Sequence, residues 1–144
     1  MKSILLAATI LTGQPYVLDA DTIELQHQRI RIQGIDAPEL DQICTRSGAT
    51  YSCGIEARDQ LVRYLGSRIV ACETSGKDIY NRWLAVCRVD GEGIGAWLVR
   101  QGYALAFTRY SYRYIIDEAV ARVAGRGMWA GEFVPPWDWR RQQK

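Results

Sequence analysis

Two short stretches hold most of the residues that could do chemistry. In Arg29-Ile30-Arg31-Ile32-Gln33-Gly34-Ile35-Asp36-Ala37-Pro38-Glu39, Arg31 is followed by carboxylates at Asp36 and Glu39; just upstream, Asp19-Ala20-Asp21-Thr22 adds two more. Hard carboxylate oxygens beside guanidinium groups suit a site that holds a divalent cation and a phosphate together. The reaction such a pairing serves is phosphodiester hydrolysis. Ile30, Ile32 and Ile35 alternate with Arg31 and Gln33, the pattern of a strand with one buried face. Pro38 fixes its own φ and holds Ala37 out of the helical region, so Asp36 and Glu39 are presented at the strand's exit. Asp19 and Asp21 fall at a strand-to-strand corner.

The elements that must position these groups are legible in outline. Residues 9–19 read as a first strand and Thr22–Leu25 as a second. Gln26-His27-Gln28 is a polar hairpin tip, with His27 facing water, and leads into the third strand. Leu40–Ser52 lacks periodicity and reads as a loop. Gly54–Leu65 is the clearest helix, with Ile55, Leu61, Val62 and Leu65 on one face and Gly66 as its stop. A strand over 68–74, a loop over 75–81, the apolar strand Trp83–Val89 and an Asp90-Gly91 turn follow. Two further helices are expected: Ala96–Gln101, and Tyr114–Ala124 with Ile115, Ala119 and Val123 on one face. The tail from Pro135-Pro136 to Arg141 is too proline-rich to continue a helix; its tryptophans pack it onto the body, and Arg140, Arg141 and Lys144 read as solvated. Five strands with a helix between the third and fourth give an α+β fold, a five-stranded OB-type β-barrel with three helices. The barrel domain spans 12–134 and the Pro/Trp/Arg-rich tail 135–144.

A chain of 144 residues is long enough for one domain with its own core. The net charge is only +2, so any nucleic-acid footprint must be local rather than global. The cysteines stand at 44, 53, 72 and 87; with no Cys-x-x-Cys and His27 the only histidine, the pattern argues against a zinc site or a redox pair. An even count fits two disulfides in an oxidising compartment. Three pairings are open, and the sequential one, Cys44–Cys53 and Cys72–Cys87, closes the two short loops and is preferred. The alternative is four buried thiols in a cytosolic protein. Residues 1–11 have a basic start and an apolar run, either a signal-peptide remnant or the beginning of the first strand; export is the expectation. The run is far too short to span a membrane.

Asp19-Ala20-Asp21-Thr22, Arg31 to Glu39, Asp78-Ile79-Tyr80-Asn81-Arg82 and Leu98-Val99-Arg100-Gln101-Gly102, in that order, resemble the thermonuclease (staphylococcal-nuclease-like) family. The cysteines and the Trp-Asp-Trp-Arg ending resemble its exported, disulfide-bearing bacterial branch. The resemblance implies one Ca²⁺ per chain, held by Asp21, Asp36 and the Ala37 carbonyl, with Asp19 and Thr22 around them. It implies that Glu39 acts on the attacking water as general base or positioner, and that Arg31 and Arg82 hold the scissile phosphate. Asp78, Tyr80 and Tyr110 would contact substrate. The expected activity is calcium-dependent endonucleolytic hydrolysis of DNA and RNA, single-stranded or frayed, with low sequence specificity and 3′-phosphate products, by a monomer. The alternative is a binding module on the same fold that holds nucleic acid or protein without cutting.

Three departures from the family pattern matter. Ala20 replaces a usual glycine, so that corner must avoid positive φ or carry strain. Asn81 replaces another, mildly, because Asn tolerates the left-handed region best. Of two tyrosines flanking the nucleotide in the family, Tyr110 matches one and Thr108 replaces the other. Tyr103, Phe107, Tyr112 and Tyr114 are read as packing aromatics rather than a stacking platform.

Overall fold

The computed structural model describes residues 9–144. Of the N-terminal run 1–11, read as a signal-peptide remnant or the start of the first strand, Ile10 and Leu11 begin a strand and residues 1–8 lie outside the described residues. Among the described residues, alternating burial and turn residues build eleven strands in chain order. β1 is Ile10–Gly13, β2 Tyr16–Asp19, β3 Thr22–Leu25, β4 Gln28–Ile32, β5 Ile35–Asp36, β6 Cys44–Arg46, β7 Ala49–Tyr51, β8 Val70–Lys77, β9 Trp83–Val89, β10 Glu92–Gly93 and β11 Leu105–Ala106. The helices are α1 Cys53–Leu65, α2 Ile94–Arg100, α3 Ile115–Ala124 and α4 Pro136–Gln142, with a 3₁₀ turn at Gly127–Ala130.

The main sheet runs β1-β8-β9-β4-β3-β2, with β10 added to β9. β1 and β2 lie at opposite ends of that path although only Gln14-Pro15 separates them. The expected single first strand is therefore one strand broken at a proline, which cannot donate to a ladder. Its halves bond β8 on one side and β3 on the other, curling the sheet into the OB-type barrel. All pairings within this sheet are antiparallel except β4 with β9, which is parallel. Ile23, Leu25, Ile30, Ile32 and Ile35 fill the interior with Leu61 and Leu65 of α1 and Ile94 and Leu98 of α2. Burying such a side chain contributes about 1.5–3 kcal/mol.

Several expectations are corrected. Leu40–Ser52 is not all loop: β6 and β7 form a hairpin whose turn, Ser47-Gly48, takes positive φ at both positions, the two-residue geometry that matches strand twist. The helical faces also differ. Ile55 and Val62 of α1 are exposed, while Ala57, Leu61 and Leu65 face inward. On α3 the stripe Ile115, Ala119, Val123 points to solvent and Ala121 is buried instead. The described residues form four helices rather than three, because the tail forms α4 with Pro136 at its start; a missing N–H costs nothing in a first turn, where that donor has no partner anyway. Tyr112 is exposed rather than packed.

Other readings hold. Disulfides join Cys44 to Cys53 and Cys72 to Cys87, the second linking directly paired residues of β8 and β9. Ala20 is absent from the positive-φ positions while Asn81 has φ 63°. Trp137 anchors the tail by stacking on Phe107 at 5.2 Å. Among the described residues no helix is long and apolar enough to cross a membrane.

Candidate active site

The sheet places the charged groups. In the β3–β4 ladder Thr22 lies opposite Arg31, and the N–H of Ile32 donates to the Asp21 carbonyl at 2.9 Å. The parallel β4–β9 pairing sets Trp83 beside Ile30, so Arg82, one residue earlier, reaches the same end of the barrel. Residues 31 and 82 are far apart in sequence and near in space for this reason alone.

Asp21 is nearly buried: its Oδ2 accepts the Ala37 N–H at 2.9 Å and its Oδ1 accepts the Thr22 hydroxyl at 3.2 Å. Asp36 is fully buried. Arg31 lies between them, its Nη2 at 3.4 Å from Asp21 and 3.5 Å from Asp36. Its guanidinium also donates to the carbonyls of Ile32 and Ile35, at 2.7 and 2.9 Å, so strand backbone fixes its direction. Arg82 donates from Nη1 to the Thr22 hydroxyl at 3.4 Å. Asp78 accepts the Arg82 Nε–H at 2.8 Å and the N–H groups of Tyr80 and Arg82 at 2.9 Å each. Its carboxylate therefore shapes the loop and aims Arg82. Tyr80 is exposed with the Arg82 guanidinium 5.3 Å from its ring, and Tyr110 is exposed against the edge of Phe107.

Asp21, Arg31, Asp36 and Arg82 thus meet, and Glu39 joins them through a residue read as solvated. Arg140 of α4 donates from Nη1 to Asp36 Oδ1 at 3.0 Å and Glu39 Oε1 at 2.9 Å, and from Nη2 to Asp36 Oδ2 at 2.7 Å. No local pattern marks an arginine near a chain end as part of a site. Gln42 is also new: fully buried, it accepts the Glu39 N–H at 3.3 Å and donates to the Val134 carbonyl at 2.7 Å. It ties the Glu39 loop to the start of the tail. Gly54 opens α1 against that loop; a Cβ there would lie 1.7 Å from the Glu39 carbonyl oxygen.

The acids repel one another. Burial, and after it the charge of Asp21, pushes Asp19 up to about 8. Burial also works to raise Asp21, but the Arg31 charge and hydrogen bonds from Asp19, Ala37 and Thr22 bring it below the usual carboxylate range. Burial wins at Asp36, which is raised despite the Arg140 hydrogen bonds. Four carboxylates thus cluster around two directly bonded arginines, a donor set that suits a hard cation. Among the described residues no three acidic, His or Cys side chains close into a ready-made cage; guanidinium groups are interleaved with the acids.

Comparison with known proteins identifies the family. The family described as Staphylococcal nuclease homologue matches residues 29–131. The succinoglycan biosynthesis protein ExoI of Rhizobium meliloti (strain 1021) is 36% identical over 130 residues, 88% of this chain and 68% of that protein. An uncharacterized endonuclease of Haemophilus influenzae is 32% identical over 119 residues, 81% of this chain and 62% of its own length. The probable staphylococcal-like nuclease CAN2 of Oryza sativa subsp. japonica is 33% identical over 127 residues, 86% of this chain but only 32% of the rice protein. With the family match covering most of the barrel and the acids and arginines gathered at one end of it, the chain belongs to the staphylococcal nuclease homologue family.

Proposed function

We propose that the protein is a calcium-dependent nuclease that hydrolyses phosphodiester bonds in DNA and RNA with little sequence preference, favouring single-stranded or frayed substrates. One observation carries this reading: two buried carboxylates, Asp21 and Asp36, lie within 3.5 Å of one Arg31 nitrogen, and Arg82 reaches the Thr22 hydroxyl bonded to Asp21. Asp21, Asp36 and the Ala37 carbonyl would hold the Ca²⁺, with Asp19 and Thr22 supporting them. When bound, the ion neutralises charge on the phosphate oxygens.

Arg31 is pre-aimed by two backbone carbonyls, so its fork can grip phosphate without reordering. Arg82, held by Asp78, grips from the other side. Glu39 takes a proton from the water as its oxygen bonds to phosphorus. The bond from phosphorus to the 5′-oxygen breaks, that oxygen takes a proton from solvent, and a 3′-phosphate remains. Tyr80, exposed beside Arg82, and Tyr110, exposed against Phe107, would stack on bases. The two disulfides support an oxidising, exported setting.

The test is nicking of supercoiled plasmid. Cleavage is expected with Ca²⁺ and not with EGTA, and Glu39→Gln is expected to cut slower by a factor on the order of 10². Absence of chelator-sensitive cutting would leave the binding-module alternative in its place.

A further inference from the structure

The C-terminal helix puts a positive charge where the proposed cation must bind. We infer that Arg140 is a built-in latch on the cation site: α4 and a divalent cation compete for the same carboxylate oxygens, and cation binding requires α4 to let go. This rests on the reading of Asp21 and Asp36 as the cation's ligands.

The geometry makes the two occupants exclusive. Arg140 uses both oxygens of Asp36, at 3.0 and 2.7 Å, and the same nitrogen that touches Asp36 Oδ1 also holds Glu39 at 2.9 Å. A cation ligated by Asp36 would sit about 2.3–2.6 Å from one of those oxygens, inside the reach of guanidinium hydrogens of like charge. Arg31 competes less directly, since it lies 3.4 Å from Asp21 and 3.5 Å from Asp36 and spends its short hydrogen bonds on backbone carbonyls.

The latch can also be released. Side-chain contacts anchor α4 to the body: the Arg140 ion pairs, the stack of Trp137 on Phe107, the packing of Trp137 against the Cys44, Cys53, Leu105 and Met128 cluster, and buried Pro136. Arg140 keeps 38% of its side-chain surface in solvent, so it can leave without unpacking the barrel. Freed, Glu39 loses the donor on its Oε1 and becomes available to a water proton.

The experiment is calorimetric titration with Ca²⁺ of the full chain, its Arg140→Gln variant and its Trp137→Ala variant, with amide hydrogen exchange of α4 measured with and without Ca²⁺. Arg140→Gln is expected to bind Ca²⁺ roughly tenfold more tightly or better, because a like charge within a few ångströms is gone. Trp137→Ala leaves every acid and arginine in place and is expected to tighten binding about threefold by loosening the helix. In the unaltered chain, Ca²⁺ is expected to speed exchange in α4. If the unaltered chain binds Ca²⁺ and both variants bind it equally or more weakly, the latch is overturned and the cation site stands. If no protein binds Ca²⁺, latch and cation site are overturned together.

Discussion

The barrel wall and the C-terminal helix both bring arginines to the same acids, by different means. Arg31 stands in a β-ladder, and its direction is set by carbonyls one and four residues further along its own chain. Arg140 arrives more than a hundred residues after Asp36, on a seven-residue helix anchored by ion pairs, the Trp137–Phe107 stack and the packing of Trp137 and Pro136 on the body. A ladder fixes a side chain as a consequence of folding the sheet. A docked helix holds one by contacts that can be exchanged. The first suits a group that must be in place before substrate arrives, and the second suits one that comes and goes.

The largest test of that contrast is on the ladder side. Arg31→Ala should lower the nicking rate by a factor on the order of 10² or more, since it would remove the proposed phosphate donor. A loss below tenfold would mean that the barrel wall is not where the phosphate is held.

Next in size are the disulfides. Cys72–Cys87 ties paired barrel strands across a separation of 15 residues, and Cys44–Cys53 closes a separation of 9. Replacing both members of the barrel pair by Ala should lower unfolding free energy by about 3 kcal/mol, somewhat more than for the hairpin pair. Urea melts check this; equal stability with and without the barrel pair would contradict a rigid wall.

The smallest effect concerns the corner at Asp19. Its carboxyl is raised to about 8, above its ordinary value, so the folded state holds a proton that the unfolded chain has lost. That contribution to stability is full below about pH 4 and is lost as pH rises through about 8. In EGTA, Asp19→Asn should therefore melt higher relative to the unaltered chain at pH 9 than at pH 5. Parallel melting curves across that range would show that burial and Asp21 do not act on Asp19 as described.

Much of the barrel was legible because its signals are local. The alternation around Ile30 and Ile32 is the same period-two pattern that buries them and turns Arg31 the other way. Pro38 marks a strand exit from its own covalent geometry, and Asn81 occupies the left-handed position its type tolerates. The errors fell where neighbours decide. Ile115, Ala119 and Val123 have helical spacing, yet α3 turns them outward because Tyr114 and Ala121 face the body instead. Prolines at 135 and 136 looked like breakers, although one at the first helical position is compatible with a helix.

The sequence by itself determined which residues could carry chemistry: acids at 19, 21, 36 and 39 with arginines at 31 and 82, at the exits and corners of recognisable strands. Only the tertiary structure decided that Arg140 and Gln42 join them. Strand alternation and turn type act over a few residues, so they can be read from the chain. The meeting of Asp36 with Arg140 depends on a helix docking across the finished barrel, and no pattern confined to its own short segment records where it lands.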